Sequence, residues 1–251
     1  MQEETPLIRP TDHEARKLAR TLLRGARYGA LAVLDPQTGF PLATRTLVGT
    51  DIDGSPVILI SRLAAHTKAL MADPRCSLLV GEPRKGDPLA WPRLTAPGIA
   101  SPVEKGAPEE DVIRRRFLRR HPKAKLYASF EDFQFYKIEL ENAFLNGGFG
   151  KSYKILREDL LIRSPLTADL AINELHYLAQ VAAIDPQLAN LFANKYCAVK
   201  SYNWELSGMD ASGLDLAHRE HLVRIELEKA AQDIKGLIAE YKNMLMEIRE
   251  N

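Results

Sequence analysis

Apolar residues along this chain recur with two periods, and the changes between them mark out the elements. Ala15, Leu18, Ala19, Leu22, Leu23 and Ala26 fall at i, i+3, i+4, i+7 spacing, the period of a helix with one buried face. Thr11 and Glu14 ahead of them form a capping-box pattern, which predicts Thr11 as the N-cap. Residues 1–9 read as loose and polar. From Tyr28 the period becomes two. Tyr28–Leu34 and Pro41–Val48 read as strands joined by the turn Asp35-Pro36-Gln37-Thr38-Gly39, a hairpin with a longer loop. In the second strand Leu42, Thr44, Thr46 and Val48 share one face, and Ala43, Arg45 and Leu47 the other. Arg45 is the odd residue among apolar neighbours. It either snorkels to solvent or meets a buried anion such as a phosphate.

A turn at Asp51–Ser55 delivers the chain into its most informative stretch, Val57 to Leu79. The apolar run Val57–Ile60 ends at Ser61, a helix begins near Ala64 and stops at Asp73-Pro74, and a second apolar run spans Cys76–Val80. These lengths and breaks read as strand, helix, strand. Ser61, Arg62, His66, Thr67 and Lys68 gather hydroxyls and cations where the helix presents unpaired backbone N–H groups, which predicts an anion site. Residues 81–88 have loop composition, and the prolines within 91–103 fit an edge or interrupted strand rather than a central one. A helix is expected over Ala107–Arg120, then strands over Phe133–Leu140 and Ala143–Leu145 joined at Glu141-Asn142. Gly147-Gly148 reads as a bulge or as a close approach of backbone to a ligand.

Around Ser164-Pro165 the pattern shifts from strand to helix, so a first domain over 1–164 and a second over 165–251 are expected. The second reads as helices over Ala168–Ala183 and from Asp185-Pro186 to about Asn194, a strand over Cys197–Leu206, a turn over Met209–Leu216 and a strand over Leu222–Leu227. In the last helix Ile234, Leu237, Ile238, Tyr241, Leu245 and Ile248 form one face. His176, His218 and His221 are too scattered to specify a metal site.

Composition narrows the function classes. The 251 residues carry 34 basic and 33 acidic side chains, a net charge of +1, so nothing global favours nucleic acid or an anionic membrane as partner. One local exception is the run Arg114, Arg115, Arg116, Arg119, Arg120, Lys123 and Lys125. Without an aromatic platform or a known motif beside it, most of this cluster reads as a solvated face. Cys76 and Cys197 lie far apart in apolar runs and read as free thiols. No apolar signal-peptide core opens the chain, and no run approaches the ~20 residues that cross a bilayer, so a cytoplasmic location is expected. The sequence holds no paired-carboxylate set, Gly-x-Ser-x-Gly elbow, Cys or His metal spacing, phosphate loop or GxGxxG turn in usable context. Catalytic residues therefore stay unassigned, and any reaction falls to a bound cofactor. Arg45, Ser61, Thr67 and Lys68 could converge on one dianionic phosphate, with the backbone of Thr46 to Val48 along a flat ring.

Arg45-Thr46-Leu47-Val48, the strand end Ile60-Ser61, the segment LAAHTKALMADPRCSLLV and the strand pair ENAFLNGGFG resemble the FMN-binding split β-barrel of pyridoxamine 5′-phosphate oxidase-related proteins, in their HugZ-like, haem-utilisation branch. Residues 168–251 are similar to the small domain of that branch. The resemblance implies an α+β fold, in which a six-stranded antiparallel split β-barrel is followed by a small α/β domain. It implies an FMN-dependent oxidoreductase with a small-molecule substrate or electron acceptor, built as a homodimer with the cofactor at the subunit interface. Arg45 and Lys68 would contact the FMN phosphate, Ser61 and Thr67 would support it, and Thr46, Leu47 and Val48 would flank the isoalloxazine. The same resemblance keeps open a haem-binding or haem-degrading protein, with propionates met by Arg45 or the basic cluster and His66 as an available ligand, and a non-catalytic dimeric barrel.

Overall fold

A computed structural model describes residues 8–83, 85–148, 150–197 and 202–250. Helix α1 (His13–Gly25) opens the chain, followed by strands β1 (Tyr28–Leu34), β2 (Pro41–Thr50) and β3 (Pro56–Ser61), helix α2 (Ala65–Ala72), β4 (Arg75–Val80), β5 (Arg93–Pro102) and helix α3 (Pro108–Arg120). Strands β6 (Phe133–Leu140), β7 (Asn142–Asn146) and β8 (Ser152–Leu156) complete the first sheet. Its order is β4-β1-β2-β3-β6-β5, and β5 pairs back onto β4. Six antiparallel strands therefore close into the barrel the sequence predicts, with β7 and β8 continuing from β5 as a hairpin. Beyond it come the one-turn helix α4 (Arg157–Leu160), α5 (Thr167–Ala182), α6 (Leu188–Cys197), strands β9 (Glu205–Asp210), β10 (Gly213–His218) and β11 (His221–Glu226), and α7 (Ile234–Glu250). The three strands form a separate antiparallel sheet in the order β11-β10-β9.

Alternation fills the barrel. Leu31, Val33, Val48, Ile58, Ile60, Leu78, Leu94, Ile138 and Leu140 point inward, and Ala15, Ala19 and Leu23 of α1 with Ala69 and Leu70 of α2 complete that core. Strand β3 does not alternate because both of its faces are covered: outside the barrel Val57 and Leu59 pack with Phe135 of β6 and with Ile113 and Phe117 of α3. Gly49 permits this close approach, since a Cβ there would stand 2.7 Å from the Phe117 ring. A further apolar cluster joins α5, α6, α7 and the small sheet, and Ile52 of the Asp51–Ser55 turn reaches into it.

Several elements differ from their sequence reading. The cap of α1 is Asp12, whose side chain accepts from the Ala15 N–H at 2.8 Å; Thr11 instead donates its hydroxyl to Lys154 O. Strand β5 is no edge strand, since β4 lies on one side of it and β6 and β7 on the other. Pro97 is tolerated because a residue's N and O point to the same side of a strand. Its O accepts from Glu141 N, so the missing N–H falls at the corner where β6 gives way to β7. Gly147-Gly148 belongs to the β7–β8 turn, where Gly148 has φ +108° and Lys151 N donates to its carbonyl. Strand β8 itself had no sequence assignment. Cys197 ends α6, and the expected strand begins only at Glu205, with 198–201 outside the described residues. Most of the predicted turn over Met209–Leu216 is strand, so the turn shrinks to Ala211-Ser212 between β9 and β10. Residues 1–7, Arg84 in the predicted loop and Phe149 of the ENAFLNGGFG motif also lie outside the described residues.

Candidate functional site

The hydroxyls gathered after β3 are drawn into the turn itself. Ser61 donates to Asp132 Oδ2 at 2.5 Å and accepts from Leu63 N, while Thr67, fully buried in α2, donates to Ser61 O at 2.6 Å. These bonds seat the start of α2, which has no side-chain cap at Ala64. One residue before Thr67, His66 joins α2 to the barrel: its Nδ1 lies 3.1 Å from Thr44 Oγ1 on β2. The other ring nitrogen, Nε2, is enclosed and has no partner among the described residues. Burial pushes the His66 imidazole below its ordinary pKa, which favours the neutral ring at neutral pH.

Arg45, next to Thr44 on β2, faces the other way. It is exposed, and its guanidinium lies 5.3 Å from the centre of the Tyr28 ring, within cation–π range. Partial desolvation and a hydrogen bond to Glu82 push the Tyr28 phenol above its ordinary pKa. Lys68 is likewise exposed. Thr46, Leu47 and Val48 diverge: Thr46 is buried with its hydroxyl on Leu47 O, Leu47 packs toward α3 outside the barrel, and Val48 sits in the inner core. The Val48 backbone is already satisfied, its N–H on Arg27 O and its carbonyl on His121 Nε2 at 2.8 Å. That bond fixes His121 as an Nε2–H donor, and burial holds its pKa down to about 4.

The strand registers line up one row across the outer barrel surface. Arg45 on β2 opposes Ala30 on β1, Ala30 opposes Leu79 on β4, Leu79 opposes Thr95 on β5, Thr95 opposes Phe144 on β7, and Phe144 opposes Lys154 on β8. Opposed residues share a face. Leu79 and Phe144 are 41% and 47% exposed, and Tyr28 and Leu34 flank Ala30 on the same face of β1. At ~4.8 Å per strand the row runs for roughly 24 Å, apolar through its middle with a cation at each end. Arg45 sits at one end of this partly exposed face, its guanidinium over the Tyr28 ring.

The basic cluster on α3 is not a solvated face. Arg116 and Arg120 are each 6% exposed. Arg116 reaches Glu174 of α5, Met209 O of β9 at 2.9 Å and Thr50 O; Arg119 reaches the same Glu174 and Ser207 O; Arg120 reaches Asp215 of β10 at 2.9 Å. Met209 N donates to Glu174 in turn. The free edge of β9 is thus closed by side chains from α3 and α5 in place of another strand. Arg115 and Lys123 stay on the surface.

A family comparison agrees with the barrel and its helices. Residues 10–161 match the family described as "CREG, beta-barrel". The chain belongs to the CREG β-barrel family. This CREG barrel is also 34% identical over 139 residues to the chloroplastic "non-canonical heme oxygenase HOZ" of Arabidopsis thaliana, a match covering 53% of the chain and 42% of that relative's length. Among solved structures it is similar to Atu2129 of Agrobacterium tumefaciens, a protein of unknown function, at 29% identity and TM-score 0.80 over 96% of this chain and 99% of that one. A heme binding protein from Mycobacterium smegmatis shares the fold at 24% identity and TM-score 0.55, covering 97% and 100% of the two chains. No helix among the described residues is long and apolar enough to cross a membrane.

Proposed function

We propose that this CREG-family barrel binds haem on its uncovered outer face, as a homodimer, and degrades it when given a reductant. The row from Arg45 through Ala30, Leu79 and Phe144 to Lys154 carries the reading. It matches a flat apolar macrocycle with anionic arms, Arg45 taking a propionate and a second copy covering the ring. His66, bonded to Thr44 on the inner side of β2, lies off this row and is left out of the contacts to the ring. When bound, haem supplies a redox-active iron that can activate dioxygen; the chain's own residues hold the ring, exclude water and anchor its acids. The 34% identity to a relative named as a heme oxygenase supports the same reading.

FMN is the second reading, favoured by the exposed cations Arg45 and Lys68 near the start of α2 and by the likeness to flavin-binding split barrels. Haem ranks ahead of it because the Ser61 and Thr67 hydroxyls already have acceptors, and a phosphate at Ser61 would meet the Asp132 carboxylate. Titration with hemin and with FMN separates the two. Hemin is expected to give a saturable Soret band that fades in air with ascorbate; Arg45→Ala should weaken binding about tenfold, the scale of one charge-assisted contact, and His66→Ala, off this face, should leave the band in place. A protein that takes up FMN and leaves the hemin spectrum unchanged would overturn the proposal.

The dimer has its own test. Light scattering is expected to give twice the chain mass for the native protein and a single chain for Leu79→Glu, which buries a charge in the centre of the face. A native monomer that still binds hemin would remove the second copy from this reading.

A further inference from the structure

A groove of about 410 Å³ lies away from the barrel face, between α5, the start of α6 and the entry to β9. That is within the range of small-molecule sites. Leu175, Leu178, Ala179 and Ala182 of α5 line it at helical spacing, and the alanines leave the room. Trp204 and Arg119 line it as well. Trp204 is 5% exposed, its backbone N–H is held by Asn190, and its ring packs on His218, yet its indole Nε1 has no partner among the described residues. Arg119 spends Nε on Ser207 O and Nη2 on Glu174, and its Nη1 is enclosed without a partner among the described residues.

Both orphan groups are donors and neither can accept, so the missing ligand atom is an acceptor. Charge says which kind. Arg116 and Arg119 share the single carboxylate of Glu174, leaving one positive charge uncompensated beside the groove. Two other carboxylates line it, but Asp185 is held by Arg249 and the Gln187 N–H, and Glu205 is exposed. We propose that this groove is a binding site for a small apolar carboxylate, its hydrocarbon part against the α5 leucines and alanines and its acid group on Arg119 Nη1 and Trp204 Nε1.

Trp204 reports on its own site. In a Trp91→Phe background it is the sole tryptophan, and octanoate should change its fluorescence saturably and at least about tenfold more tightly than 1-octanol, the worth of a charge-assisted hydrogen bond to a buried donor. Ala179→Phe, at an exposed helix position, should fill the groove and abolish the response. Arg119→Gln should bring octanoate down to the level of octanol. In crystals, 8-bromooctanoate should give an anomalous bromine peak between α5 and α6. Equal responses to octanoate and octanol would make the groove merely greasy. An unchanged response in Ala179→Phe, or a bromine peak elsewhere, would place any binding outside it. Each of these results overturns the proposal, as does the absence of a saturable response.

Discussion

Replacing Arg224 by Leu is expected to destabilise the protein by about 3–5 kcal/mol, the usual result of removing one partner from a buried ionic network. The Arg224 side chain has no exposed surface, and its guanidinium meets Asp210 at 2.7 Å, Glu226 at 2.9 Å and Asp215 at 3.2 Å. Arg24 at the end of α1 and Arg120 at the end of α3 reach the same acids, Arg24 to Glu226 at 3.2 Å and Arg120 to Asp215 at 2.9 Å. Three buried guanidiniums therefore face three carboxylates, with the partly exposed Arg20 3.9 Å from Glu226 at the rim, and the variant leaves two buried guanidiniums against three acids. Chemical denaturation of the native chain and the variant at pH 7 measures the difference; a loss under 1 kcal/mol would mean that water already screens this network.

Acid should act on the two proteins differently. Burial alone would raise the Asp210 carboxyl, but Arg224 and Arg24 hold it down to about 2. In an unfolded chain an aspartate titrates near ~3.9. A group whose folded pKa is depressed contributes stability above its unfolded value and loses it as pH falls through the folded one, so the native protein should weaken from about pH 4 toward pH 2. Without Arg224, burial dominates and the surplus carboxylate binds a proton more readily folded than unfolded. The deficit of Arg224→Leu should then be greatest near neutral pH and narrow on acidification.

The barrel was legible because its hairpins keep a period of two and because the run Val57–Ile60 fits a strand covered on both sides. In the second sheet only β11, read as a strand over Leu222–Leu227, was plainly legible. Asp210, Ser212 and Asp215 look like turn residues in sequence, yet Asp210 and Asp215 are the buried acids that neutralise Arg24, Arg120 and Arg224 within strands. The arginines of α3 looked solvated for the same reason. The acids of Arg116, Arg119 and Arg120 lie 55 to 95 residues further on, and no local pattern carries such a pairing. At the candidate site the sequence singles out Arg45 by its misplaced charge and His66 by its place at a helix start. It gives no sign of Thr44, 22 residues from His66, or of Asp132, 71 residues from Ser61. Those partners decide which hydroxyls and which ring nitrogen remain free.

Glu174→Ala is expected to cost about 3–5 kcal/mol as well, but with another signature. Glu174 is the one acid shared by Arg116 and Arg119, and it also accepts from Met209 N. Removing it leaves two guanidiniums facing each other and an unsatisfied strand N–H at the edge of β9. Arginine does not deprotonate in the accessible range, so proton uptake or release cannot relieve the strain. The loss should stay constant from about pH 5 to pH 9, where the Arg224→Leu deficit varies. Because α3 belongs to the barrel layer while α5 and β9 belong to the other, the lost contact is one of those that couple them, beside Arg24 to Glu226 and Arg120 to Asp215. Calorimetry should resolve two transitions in place of one, the second apolar cluster melting before the barrel. The octanoate response should weaken in the same variant, since Arg119 loses the anchor that aims its free Nη1. A single, pH-dependent transition would show instead that apolar packing around Ile52 and Leu170, with the remaining Arg24 and Arg120 pairs, joins the two layers without Glu174.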